Sequence, residues 1–166
     1  MRIKSLSYLV AALFLATACA ETMQDGGAGR GSGGNQQAAS SVKPGTGRDF
    51  VINVGDRVFF EFDKSSLSSD ARSQLEKQAA WLKKFGSVSL TLEGHADERG
   101  TREYNLALGE RRANSAKDFL VALGIAPNRI RVISYGKERP AALGQNEAAW
   151  RQNRRAVTIV AGASGS

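Results

Sequence analysis

Between Asp49 and Val160 the spacing of apolar residues changes in blocks. Val58, Phe60 and Phe62 recur at every second position, which predicts a strand with one apolar face. From Ser68 or Ser69 the spacing lengthens. Ala71, Leu75, Ala79 and Leu82 share one face of a helix reaching about Phe85, with a serine as its N-cap. Val88, Leu90 and Leu92 return to period 2 against Ser89, Thr91 and Glu93, a second half-buried strand. Thr101 starts a long helix that Gly124 stops, with Pro127 beyond it. Ile130, Val132 and then Ser134-Tyr135 predict a third strand, Glu147 to about Arg154 a short helix, and Ala156 to Val160 a last strand. The order β-α-β-α-β-α-β over residues 49–160 predicts an α+β domain, a mixed sheet with helices mostly on one face. Residues 161–166 are expected to form a disordered tail.

The chain ahead of this domain reads differently. Arg2 and Lys4 precede an apolar run from Leu6 to Ala18 that is too short to span ~30 Å of hydrocarbon. Residues 1–18 therefore read as a secretory signal peptide. Ala16-Thr17-Ala18 fits ordinary cleavage. Cys19 follows at once, however, and Ala-Thr-Ala-Cys resembles a bacterial lipobox in which Cys19 is lipidated and becomes the new N-terminus. Ala16 departs from the usual Leu. Ala20 replaces the Asp that often marks inner-membrane retention in lipoproteins, which favours the outer membrane. From residue 19 to 48 the chain is rich in Gly, Ser, Gln and Ala, with no large apolar residue between Met23 and Val42. Such a stretch cannot offset its ordering entropy by burial and reads as a tether of ~30 Å root-mean-square reach.

Composition narrows the function classes. A single Cys excludes a disulfide scaffold or a thiolate metal cluster. The net charge is +7, and setting aside Arg2 and Lys4 leaves +5, which invites a polyanion such as nucleic acid, anionic lipid or an acidic wall polymer. Export removes nucleic acid from reach. Glu98, Glu103 and Glu110 also dilute the arginines at 111, 112, 151, 154 and 155.

The stretch Glu93–Ala113, EGHADERGTREYNLALGERRA, carries the chemistry. On a helical wheel, Ala113, Ala116, Phe119, Leu120 and Leu123 define an apolar arc around Asn105. Arg112 falls inside it, about 20° from Asn105, and Arg111 falls about 120° away, in solvent. A cation on the packed side needs an anion. Asp97 is the candidate, in the loop after the second strand, and Asp63 at the end of the first strand is another. Gly100 bends the loop, and the helix start at Thr101 leaves free N–H donors nearby. Asn105, Leu108 and Arg112 form a polar–apolar–cationic strip. A carboxylate, a guanidinium and backbone donors around one pocket suit a zwitterion, with its ammonium on Asp97 and its carboxylate on Arg112. The residues equally allow Asp97 and Arg112 to pair with each other. If the pocket is open to water, losing either one costs little stability.

An enzyme would have to use Glu93, His95 and Asp97 as a metal site, or His95 as a base. One His is thin for zinc. The chain also has no G-x-S-x-G turn and no H-E-x-x-H helix. No metal, cofactor or catalytic residue is expected. Arg154-Arg155 could be a second anion contact or a solvated helix end, and Trp81 and Trp150 read as packing residues rather than carbohydrate platforms.

EGHADERGTREYNLALGERRAN, with VFFEFDKSSL before it and VISYGKERPA and NEAAWRQNRRAV after it, resembles the OmpA-like peptidoglycan-binding domain over about residues 57–160. The order of lipobox, Gly-rich tether and domain resembles the lipid-anchored members of that family belonging to the Tol–Pal system. The resemblance implies a fold like the one read above. It also implies non-covalent binding of the peptide stem of peptidoglycan. In the family an Asp and an Arg fifteen residues apart hold the amino and carboxyl ends of meso-diaminopimelate, and they fall on Asp97 and Arg112. The strand-end pair falls on Phe62 and Asp63, and the helix Asn and Leu on Asn105 and Leu108. Asp63 could instead cap locally, and Asn105 could satisfy backbone at the helix start. Further implied are an outer-membrane lipid anchor at Cys19, a periplasmic domain, a TolB-like propeller partner and a part in envelope integrity and cell division. The alternative is a wall-binding lipoprotein of another envelope system.

Overall fold

The computed structural model describes residues 42–161. The signal segment, Cys19, most of the tether and the tail beyond residue 161 lie outside the described residues. Helix α1 spans Gly47–Asn53, strand β1 Arg57–Phe59, α2 Ser69–Lys84, β2 Leu90–His95, α3 Arg102–Ala122, β3 Ile130–Gly136, α4 Glu147–Asn153 and β4 Arg155–Val160. The sheet order is β1-β4-β2-β3. β2 and β3 are parallel, and β4 is antiparallel to both β1 and β2. The mixed α+β sheet read from the spacing is what forms. Among the described residues no helix is long and apolar enough to cross a membrane.

The caps explain where the helices begin. The Ser68 hydroxyl accepts from the Ala71 N–H, and the Thr101 hydroxyl from the Tyr104 N–H, so each satisfies one orphan donor of a first turn. Ala71, Leu75, Ala79 and Leu82 of α2 and Ala113, Ala116 and Leu120 of α3 pack on Leu90, Leu92, Ala156 and Val160 of the sheet in one buried core. Thr158 faces the same side and donates to Gln78 of α2 at 2.8 Å. α3 approaches β2 unusually closely. A Cβ at Gly94 would collide with the Gly109 carbonyl, so two glycines let the backbones meet. That contact sets α3 over the end of β2, where the site forms.

Two expectations are corrected. The first strand stops at Phe59. Val58 and Phe60 are buried, but Phe62 is 55% exposed, because the chain turns at residues 61–64 and Asp63 takes a left-handed φ of 55°. The domain also begins earlier than residue 49. Gly47 and Arg48, read as tether, open α1, whose N-cap Thr46 accepts from the Asp49 N–H while the Asp49 carboxylate accepts from the Gly45 N–H. α1 delivers Phe50, fully buried, to an edge-on contact with Trp81. The Trp81 indole N–H donates to Asp49 at 2.8 Å.

Candidate functional site

The turn after β1, the loop after β2 and the first half of α3 converge on one pocket of about 180 Å³. Phe62, Asp63, Asp97, Asn105, Leu108 and Arg112, the six residues singled out from the sequence, all line it, joined by Arg99, Gly100 and Tyr104. Arg111 points to solvent and Arg112 is fully buried, as the wheel requires.

Arg112 does not pair with Asp97. Its Nε donates to the Lys64 carbonyl at 2.8 Å, Nη1 to the His95 carbonyl at 2.8 Å and Nη2 to the Glu61 carbonyl at 3.1 Å. The guanidinium thus ties the β1 turn to the end of β2. Three of its five N–H groups are used, which leaves one on each terminal nitrogen. Burial pushes its pKa down to about 10, against the pull of Asp97, so it stays cationic at neutral pH. A residue so placed ties elements of the fold together and keeps two N–H groups unused. The expectation that its loss costs little stability is corrected.

Asp97, 4% exposed, pairs instead with two other arginines. Its Oδ1 accepts from the Arg99 backbone N–H and Nε, both at 3.1 Å; its Oδ2 accepts from Arg99 Nη2 at 2.6 Å and Arg154 Nη1 at 3.5 Å. Burial pushes the carboxyl up, but these bonds outweigh it and hold the group below the ordinary carboxylate range. Asp63 accepts from the Tyr104 hydroxyl, which raises the Tyr104 pKa. The Asn105 amide donates to the Arg99 and Thr101 carbonyls at 2.8 and 3.1 Å, so it fastens the loop onto the helix start. Lys137 holds the same loop from the other side through the Gly100 carbonyl at 2.7 Å. The turn that follows β3 thus braces the loop that carries Asp97.

Arg99 went unremarked in the sequence. It sits two residues after Asp97 in a loop flanked by Gly100, and only the fold brings Phe62 and Trp150 to it, each ring centre 4.0 Å from the guanidinium carbon. Arg154 and Arg155 are both buried, not solvated. Arg154 reaches Glu147 at 2.6 Å and the Phe60 carbonyl, and Arg155 reaches the Arg139 carbonyl on the opposite face. Trp81 is buried, and Trp150 anchors its indole N–H on Glu98 at 3.0 Å.

His95 does not face the pocket. Its ring is 2% exposed, lies against Tyr135 at 5.7 Å, and neither nitrogen has a hydrogen-bond partner. Burial, helped by Arg155 and Arg139, lowers its pKa to about 4. A neutral imidazole sealed from solvent has no route to a substrate. Among the described residues no three His, Cys, Asp or Glu side chains cluster as metal ligands.

Residues 59–154 match the OmpA family. The chain is 48% identical over 164 residues, 98% of each sequence, to a peptidoglycan-associated lipoprotein of Brucella melitensis. It is 54% identical over 125 residues to that of Rhizobium meliloti, covering 75% of this chain and 71% of the relative. The crystal structure of the peptidoglycan-associated lipoprotein from Burkholderia pseudomallei superimposes with a TM-score of 0.62 at 41% identity, over 63% of this chain and 89% of that one.

Proposed function

Because this chain belongs to the OmpA family and groups within it with the peptidoglycan-associated lipoproteins, we propose that its domain grips the peptide stem of peptidoglycan through meso-diaminopimelate. The observation that carries the reading is the convergence of Asp97, Arg112, Asp63 and Asn105 on one pocket, with an apolar wall from Phe62 and Leu108. The side chain of diaminopimelate ends in an ammonium and a carboxylate on one carbon. Asp97 takes the ammonium. The two spare N–H groups of Arg112 take the carboxylate, in a site whose burial strengthens each charge-assisted bond. Phe62 and Leu108 cover the methylenes between the two ends of the residue. The domain acts as a binding module: the two carboxylates of its pocket serve as charge partners, and His95 lies outside the pocket, neutral and sealed.

At the other end of the chain, Cys19 is acylated and held in the outer membrane, where two or more chains at ~0.8 kcal/mol per buried CH₂ give stable anchoring. The domain then reaches the wall from the periplasmic side and joins a TolB-like propeller in the Tol–Pal system, supporting envelope integrity and division. The test is sedimentation of the unlipidated Cys19→Ser chain with purified sacculi. The parent site co-sediments, and Asp97→Asn stays in the supernatant. Equal co-sedimentation of the two would reject the site.

A further inference from the structure

Asp97 has no acceptor position left for an incoming cation. A carboxylate offers about four lone-pair sites. Here the four are filled by the Arg99 backbone N–H, Arg99 Nε, Arg99 Nη2 and Arg154 Nη1. Two of the four belong to the Arg99 side chain, and among the described residues they are the only hydrogen bonds that side chain makes. Arg154, in contrast, is 3% exposed and also held by the Phe60 carbonyl and Glu147, so it cannot step aside. The Arg99 side chain is 33% exposed, and its backbone is pinned independently by the Asn105 amide on its carbonyl. Phe62 and Trp150 press on the guanidinium and steady it over Asp97.

On the reading of the pocket as a diaminopimelate site, we propose that Arg99 is an internal stand-in for the ligand's ammonium. It closes the site by occupying Asp97, and binding is an exchange of one cation for the other. Arg99 is then a specificity-setting residue. An ammonium is admitted only if it outcompetes a forked guanidinium, which a neutral or acetylated amine cannot do. The exchange conserves charge, because the guanidinium that leaves Asp97 has solvent at its open edge and two aromatic faces beside it. The arrangement also explains how Asp97, 4% exposed, becomes accessible to a ligand at all.

The experiment titrates the unlipidated full chain with a stem peptide carrying meso-diaminopimelate, and with the same peptide acetylated on its side-chain amine. Arg99→Gln is expected to bind the free-amine peptide about tenfold more tightly than the parent, roughly one charge-assisted hydrogen bond released from competition, with no gain for the acetylated peptide. Arg99→Lys, a point charge without the fork, is expected to fall between the two. In the parent, the Arg99 Nε–H resonance should lose protection from solvent exchange on ligand addition, a readout that a purely structural role would leave unmoved. Weaker or unchanged binding by Arg99→Gln, with its thermal melt intact, would overturn the exchange and make Arg99 a ligand contact or a bystander. If Arg99→Gln does not fold, Arg99→Lys and the parent resonance still decide the matter. A parent chain that binds neither peptide would remove the wall reading itself, and this inference with it.

Discussion

Replacing Arg112 by Ala tests whether the site's cation also holds the fold together. The His95 carbonyl is buried, and stripping its donor leaves an unsatisfied acceptor at a cost of ~1–3 kcal/mol. The Glu61 and Lys64 carbonyls belong to exposed residues and rehydrate, so their bonds account for only ~0.5 kcal/mol each. Deleting a fully buried side chain leaves a cavity that adds ~1 kcal/mol or more, and its contact with the Phe60 ring at 5.3 Å is lost as well. Against these stands the relief of no longer keeping a guanidinium out of water, the same burial that lowers its pKa to about 10. The balance is a loss of ~2–4 kcal/mol. Urea denaturation should show an earlier midpoint at unchanged slope for Arg112→Ala. Arg112→Met, which keeps most of the volume, should recover only the cavity part. The neighbouring Arg111→Ala should melt like the parent. An Arg112→Ala midpoint indistinguishable from the parent's would refute the reasoning and return Arg112 to a water-filled pocket.

Three further outcomes follow from the same geometry. Phe50→Ala should cost ~3–5 kcal/mol in the same melts, since the ring is fully buried against Trp81; a neutral result would mean α1 is not part of the core. His95 is held neutral, with a pKa of about 4 against an ordinary 6.5, so the unfolded chain binds the extra proton between those values. Stability should therefore fall as pH drops from about 6.5 to about 4 and lose this contribution to the slope below that, and His95→Phe should flatten the profile in acid melts. A parent profile as flat as that of His95→Phe would contradict the placement. Cys19→Ser should leave the domain's melt unchanged while native mass spectrometry shows no acylated N-terminus, because the chain has no other Cys; acylation of the variant would contradict the anchor.

Where sequence could be read, local rules agreed with the fold. Ser68 and Thr101 cap as their positions suggest, and the wheel separates Arg112 from Arg111 because helical phase is a property of spacing alone. Three things lay beyond it. The partners of Arg112 are backbone carbonyls 48 and 51 residues away as well as at His95, and a carbonyl leaves no mark in a side-chain pattern. α1 was hidden by Gly45 and Gly47, which resemble the tether, although Thr46-x-x-Asp49 is a capping signal that could have revealed it. Arg154 and Arg155 look like a solvated helix end, yet Arg154 caps α4 and Arg155 opens β4, and each finds buried acceptors that the spacing does not show.

The central claim is that the pocket recognises both charges on one end of diaminopimelate. The most direct measurement is calorimetric titration of the unlipidated chain with two stem peptides that differ only at their third residue, meso-diaminopimelate in one and lysine in the other. Lysine keeps the side-chain ammonium for Asp97 but has no carboxylate for Arg112. The diaminopimelate stem should bind, and the lysine stem should bind ~30-fold or more weakly, as expected for the loss of one buried charge-assisted contact of ~2 kcal/mol or more. Equal affinity for the two stems would contradict the claim, because it would leave Arg112 as a brace for the fold and nothing else.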